Sequence, residues 1–305
     1  MIRQTMTLEP GPPFSMAKTL RALAHFQVTQ ANRLVEGGKL IEAVTTSAGP
    51  VVCELAAFTA ERPSLQLTIH AGHELPGAAV REASAALSQR LGLDDDLSTL
   101  YRAAREDPAF RPVLERCLGL RLIRTSTPFE AACWAVIQQR TPNGFAYRTM
   151  ARLIDLLGER IDFRGRTYTL FPTPERLAYG ARPALLAATN NTRKVDRLDP
   201  LGQAFSRLEP TFLSEAPYAE VAAWLRRIPG VGTWSVDYIL LRGLGRTERT
   251  PWNDTGLLEA ISQVYTQGFQ ISKGSARELA ERYGWLQGYW AHYLKVFTFG
   301  EPRSY

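Results

Sequence analysis

The chain is short of lysine, histidine and cysteine. Five of its 36 basic residues are lysine (Lys18, Lys39, Lys194, Lys273 and Lys295), and it has four histidines and three cysteines. Cys53, Cys117 and Cys133 form no CxxC pair, none lies in the C-terminal half, and none clusters with the histidines. Neither a zinc site nor an iron–sulfur centre is indicated, and three buried, reduced thiols are expected, with no metal or other cofactor required. No run approaches the roughly 18 apolar residues of a membrane helix. The opening MIRQTMTLEPGPPF has no apolar stretch followed by small residues, so it does not read as a secretion signal. No membrane partner is expected and the cytoplasm is the default location. A solenoid-length repeat and low-complexity tracts are also lacking.

The 305 residues, 45% hydrophobic and 22% charged, have the composition of a globular protein of two or three packed units. A net charge of +6 and a pI near 9.3 favour an anionic partner. The remaining 31 basic residues are arginines, the side chain suited to bidentate phosphate contacts. A GC-rich genome gives the same bias, and both readings stay open.

Short β-branched runs separated by turn residues fill the region from Lys39 to Ala71. KLIEAVTT and VVCELAAF are divided by Ser47-Ala48-Gly49-Pro50, and LQLTIHAG follows Arg62-Pro63-Ser64. This pattern predicts antiparallel hairpins, flanked by helices over 14–26 and 77–91. From there on nearly everything reads as helix. FEAACWAVIQQR begins behind Thr127-Pro128, a cap with proline in the first turn. RIDFRGRTYTLF allows a small hairpin across Arg164-Gly165. The fold class expected is α+β, with an N-terminal α+β unit over 1–110 and a helical body over 111–305 that has room for two subdomains flanking a cleft.

Two features of the helical body point to chemistry. The amphipathic helix from Tyr218 to Ile228 stops at Pro229, and a new apolar period starts at Trp234. Between them, Gly230-Val231-Gly232-Thr233 allows a tight turn with positive φ and no Cβ in the way. Amides at the start of the second helix then point outward at the positive end of its dipole, a ready phosphate site. A plain corner between two helices would use the same glycines. The second feature is Asp254, 24 residues beyond Gly230, just before the apolar pattern Leu257, Leu258, Ile261. It could be a helix N-cap or a functional carboxylate. Trp234 and Tyr238, four apart on one helical face, could stack a flipped base or simply be core.

Taken together, Ile228-Pro229-Gly230-Val231-Gly232 and Asp254 resemble the helix–hairpin–helix (HhH-GPD) DNA glycosylases, most of all the bacterial 3-methyladenine DNA glycosylase II (AlkA) type. PFEAACWAVIQQ (128–139), LFPTPERLA (170–178) and LEPGPPF (8–14) are similar to other parts of that family, so the resemblance covers nearly the whole chain. It implies an N-terminal antiparallel α/β (TBP-like) domain ahead of an all-helical HhH-GPD body, which acts on double-stranded DNA as a monomer. It implies a DNA-phosphate hairpin at Gly230, Val231, Gly232 and Thr233, with an optional structural Na⁺ or K⁺ there. It also implies catalysis by Asp254, a base pocket at Trp234 and Tyr238, and a wedge at Gln139 or Arg140. Strand-cutting relatives carry a lysine where Trp234 stands, so the resemblance implies a monofunctional enzyme without AP lyase activity. The implied substrate is an alkylated purine of the 3-methyladenine or 7-methylguanine type. Where the family often has an uncharged wedge, a second acidic residue and a pocket tryptophan, this chain has Arg140, Asn253 and Lys295. The alternatives are the same reaction on uracil, hypoxanthine or an oxidised purine, and a lesion-binding protein without turnover.

Overall fold

A computed structural model describes residues 2–26, 28, 30–59, 64–209, 211–254 and 256–300. The expected break at Arg62-Pro63 lies outside the described residues. The molecule is mixed α/β, built on a five-stranded antiparallel sheet with helices on and beyond it. The strands are β1 (Ile2–Leu8), β2 (Arg33–Glu36), β3 (Lys39–Thr46), β4 (Gly49–Thr59) and β5 (Ser64–Ala71), in the order β1-β5-β4-β3-β2. Period-two alternation sets the register. Leu65, Leu67 and Ile69 of β5 point into the core, and Leu67 pairs with Leu55 of β4 and Met6 of β1.

Helices α1 (Met16–His25) and α2 (Gly77–Leu91) flank the sheet, as the sequence predicts. The hairpin expected across Arg164-Gly165 forms from β6 (Arg160–Phe163) and β7 (Arg166–Thr169). Its Phe163 and Tyr168 pack with Ile41, Ala43 and Val52, so the middle of the sheet is buried on both faces. That burial explains the near-continuous apolar run of β3. Its one carboxylate, Glu42, is neutralised by Arg90 of α2 at 2.8 Å, both side chains being almost wholly buried.

The helical part centres on α5 (Pro128–Gln138). Thr127 caps it by accepting from the Glu130 amide at 3.1 Å, and every residue from Phe129 to Ile137 is buried. A helix apolar on all sides belongs in the middle of a protein, and here it packs against α6 (Asn143–Leu157) and α9 (Thr192–Ser206), with α7 (Pro174–Ala178) on α9 and α8 (Arg182–Thr189) on both. After α10 (Phe212–Glu215) come α11 (Tyr218–Arg227) and α12 (Thr233–Tyr238). The latter runs on as a π-helical turn over Ile239–Gly243. A second core joins α3 (Ser98–Arg105) and α4 (Arg111–Cys117) to α13 (Leu257–Tyr265), α14 (Lys273–Glu281) and α15 (Gln287–Phe299).

Strands β1 and β2 and helices α3, α4 and α14 carry no clear sequence signal. β1 alternates, but its outward side is polar and exposed, as an edge strand requires. In α14 only Ala276 and Ala280 are buried, so its apolar stripe is two methyl groups wide. Part of the arginine bias is structural, because Arg33, Arg90, Arg121, Arg124 and Arg242 lie in the interior. All three cysteines are buried free thiols, and among the described residues no helix is long and apolar enough to cross a membrane.

Trp134 of α5 is fully buried and stacks on Tyr147 of α6 with centroids 4.9 Å apart. Trp134→Ala is expected to cost about 3–5 kcal/mol in a denaturant titration. A loss below about 1 kcal/mol would show that α5 is not the central packing element.

Candidate active site

The turn between α11 and α12 is built as its sequence requires. Pro229 ends the first helix, and Val231 is buried between the two. Gly230 has φ +88°, in the left-handed region that glycine tolerates, and a Cβ placed on it would fall 2.6 Å from Arg197 Cγ. Gly232 is different. Its φ of −90° suits any residue and a Cβ there would meet nothing within 4 Å. The space at Gly232 is therefore open outward, where an approaching molecule would need it. Gly232 and Thr233 are exposed at the N-terminus of α12, and among the described residues their amides have no acceptor.

Three side chains from behind hold this turn in place. Gln139, just past α5, donates its amide Nε2 to Gly230 O at 2.7 Å and to Ser235 Oγ at 3.1 Å. Its Oε1 accepts from Arg197 of α9 at 2.6 Å. Lys194, one turn earlier on α9, donates to the terminal carbonyls of Val136, Ile137 and Gln139, capping the negative end of α5. Burial first, and the neighbouring Arg197 second, push the Lys194 pKa down. Arg140 follows in the left-handed region at φ +51° and is exposed at the tip of the turn. Of the two wedge candidates, Gln139 is thus fully engaged in the scaffold and Arg140 faces outward.

The carboxylate comes from the loop after the π-helical turn. Pro251 O accepts the Asp254 amide at 2.9 Å, and Asp254 Oδ1 accepts from the Gly256 amide at 3.1 Å. The capping position of α13 is held by Gly256, so Asp254 is not an N-cap in the usual sense. Lys295 of α15 donates its Nζ to both carboxylate oxygens at 2.6 Å, and each side chain is 12% exposed. Trp234 and Tyr238 stack with centroids 5.3 Å apart and an interplanar angle of 24°. They line, with Asp237, Leu241, Arg242, Pro251 and Asp254, a slot with room for about one water (20 Å³). Asp237 Oδ2 accepts from Asn253 Nδ2 at 2.7 Å, and burial raises its carboxyl pKa despite that bond. Asp237 is also shared with a groove of about 950 Å³ whose lining includes Arg226, Arg249, Lys273 and Arg277.

The π-helical turn sets the phase of this wall. Leu244 N reaches back to Ile239 O at 3.1 Å, and Arg242 is turned inward to Ile123 O at 2.9 Å and His292 Nδ1 at 3.4 Å. One helix thus carries the exposed amides at its start and the aromatic pair on its flank, with the carboxylate beside that pair. Sequence reasoning names Gly230, Val231, Gly232, Thr233, Trp234, Tyr238, Asp254, Gln139 and Arg140. The supporting roles of Lys194, Arg197 and Asp237 and the pairing of Lys295 are additional. A signal for Lys295 exists: it is a rare lysine and the sole formal charge within LQGYWAHYLKVFTF. Among the described residues no cluster of three or more His, Cys, Asp or Glu could hold a metal ion.

No family profile matches the chain. It is 28% identical over 204 residues to the DNA-3-methyladenine glycosylase of Bacillus subtilis, covering 66% of this chain and 67% of that one. It is 32% identical over 184 residues to DNA-3-methyladenine glycosylase 2 of Escherichia coli, covering 60% of this chain and 61% of the relative. The chain thus spans about two thirds or less of the length of these relatives. The fold is that of the 3-methyladenine DNA glycosylase of Archaeoglobus fulgidus, with a TM-score of 0.80 at 20% identity over 96% of this chain and 99% of that one.

The two hairpin glycines differ in a measurable way. Gly230→Ala is expected to lower stability by about 1–3 kcal/mol, and Gly232→Ala by less than about 0.5 kcal/mol. Equal losses in urea titrations would contradict the geometry of this turn.

Proposed function

Since the chain belongs to the helix–hairpin–helix DNA glycosylases of the AlkA type, we propose that it removes alkylated purines from double-stranded DNA as a monofunctional N-glycosylase. The observation that carries this reading is the placement of Asp254 beside the Trp234–Tyr238 stack on the helix whose first turn is open to phosphate. Binding begins at that turn. The amides of Gly230, Gly232 and Thr233 take a DNA phosphate, and basic side chains of the adjoining groove extend the positive track. Hairpin carbonyls such as Ile228 O are hard oxygen donors of the kind that suits Na⁺ or K⁺, and an alkali ion bound there would add positive charge next to the phosphate.

The damaged nucleotide turns out of the stack towards the aromatic wall, and Arg140 enters the gap it leaves. A 3-methyladenine or 7-methylguanine ring is cationic, so the aromatic faces attract it and its bond to C1′ is weak. As that bond breaks, positive charge moves onto the deoxyribose. Asp254 stabilises it and accepts the proton of the water that attacks C1′. The alkylated base departs neutral, leaving an abasic site. No amine stands at position 234, and Lys295 Nζ is engaged as a donor to both oxygens of Asp254, so the strand stays uncut.

Asp254→Asn is expected to slow release of 3-methyladenine and 7-methylguanine from methylated duplex by at least about 10²–10³-fold. DNA affinity should be retained. Release at the wild-type rate would remove Asp254 from the chemistry, while tight binding with no release by either protein would leave a lesion-binding protein. Duplex affinity should fall by more than about tenfold between about 50 and 200 mM salt; a flat response would exclude the phosphate track. Borohydride should trap no covalent adduct on an abasic duplex. A trapped adduct would assign lyase activity to an amine such as that of Lys295.

A further inference from the structure

The Asp254 carboxylate is anchored from the side of α15. Lys295 Nζ donates to both of its oxygens at 2.6 Å. The loop before it has two more ties in that direction, Thr247 Oγ1 to Trp285 O and Thr250 Oγ1 to Gln287 Oε1, each at 3.1 Å. The substrate of the proposed reaction is held from the other side, on α12, with its phosphate at the first turn and its base against Trp234 and Tyr238. The reacting carboxylate and the reacting sugar therefore hang from different elements. Efficient catalysis needs their separation fixed, because an error of about 1 Å costs about 100-fold in rate.

Asp237 joins the two sides. It lies three residues after Trp234 and just before Tyr238, and with both it lines the slot that includes Asp254. Its Oδ2 accepts from Asn253 Nδ2 at 2.7 Å, and Asn253 is the residue immediately before Asp254. A hydrogen bond thus links the helix that would carry the nucleotide to the residue next to the carboxylate. The acceptor is an unfavourable choice on general grounds. Burial raises the Asp237 pKa, while the Asn253 amide and then Arg226 draw it down again. Its negative charge also stands on a helix whose first turn is proposed to receive a phosphate. A carboxylate under both penalties in a cleft points to a role, and the bond to Asn253 supplies one. Bonds to an ionised acceptor are shorter and stronger than those between neutral amides, and this one strengthens further once bound DNA excludes water.

We propose that Asp237 is a positioning residue, which sets through Asn253 how far the Asp254 carboxylate stands from the sugar of a nucleotide docked on α12. The inference rests on the glycosylase reading above. Asp237 transfers no proton and forms no bond to the substrate. Its effect belongs to the chemical step rather than to DNA affinity, because other residues make the phosphate and stacking contacts.

The test is single-turnover release of 7-methylguanine from methylated duplex by the full chain and by Asp237→Ala, Asn253→Ala, the double alanine variant and Asp237→Asn. Two quantities are read: the maximal rate and the protein concentration that gives half of it. Each single alanine variant is expected to lower the maximal rate at least about 10-fold, with the half-saturating concentration unchanged. The double variant should be no slower than the slower single one, since both remove the same bond. Asp237→Asn keeps an oxygen that can accept from Asn253 and should stay within about threefold of wild type. Losses that multiply in the double variant would show two independent residues and overturn the proposal. Asp237→Asn as slow as Asp237→Ala would overturn it in favour of charge. A half-saturating concentration that rises at constant maximal rate would overturn it in favour of DNA binding. Alanine variants at the wild-type rate would leave the bond without a part in the reaction. No release of 7-methylguanine by the wild-type chain would sink the glycosylase reading, and this inference with it.

Discussion

A carboxylate with little access to water is costly to bury unless a partner faces its charge. At Asp254 that partner is Lys295, and the pair ties the loop after the π-helical turn to the last helix, α15. The position of the site follows from this constraint. Residue 295 lies 41 positions from Asp254, so the loop's anchor is supplied by the second core, which joins α3, α4 and α13 to α15. In the proposed reaction the sugar cation meets a carboxylate that the ammonium already holds, so substrate must displace Lys295 Nζ or share Asp254 with it.

The other end of the site depends on a neutral group. The amide of Gln139 links the end of α5 to Gly230 and Ser235, and Arg197 fixes its orientation from α9. The turn proposed to meet DNA phosphate is therefore tied to α5, in which every residue from Phe129 to Ile137 is buried. Lys194 finishes the same helix. Two of the five lysines, Lys194 and Lys295, thus serve the candidate site from within, while Arg226, Arg249 and Arg277 line the groove beside it.

Local rules made much of this legible. Thr127-Pro128 marks the start of α5, Pro229-Gly230 the turn, and the alternation in KLIEAVTT the strand that became β3. The spacing of Trp234 and Tyr238 implied a shared face, and they stack. What was not legible depends on contacts between distant residues. β1 is a polar edge strand recognisable only from its pairing with β5, and α14 buries too little to show a period. The π-helical turn leaves no mark in composition, yet it decides which way Arg242 faces. Whether the Gln139 side chain is engaged could not be read from sequence, because it depends on Arg197, Gly230 and Ser235. Lys295 could be noticed as a lone charge in an apolar helix, but its partner could not be read from spacing.

In the proposed complex Asp254 faces the sugar of a nucleotide whose phosphate sits on the Gly230–Thr233 turn. The most direct measurement is a crystal structure of the protein with duplex DNA in which one deoxyribose is replaced by a cationic azasugar. The expected result is the ring nitrogen against the Asp254 carboxylate, Lys295 Nζ moved from at least one of its oxygens, and a phosphate on the amides of Gly232 and Thr233. An azasugar bound elsewhere, with the Lys295–Asp254 pair intact and no phosphate at the turn, would contradict it.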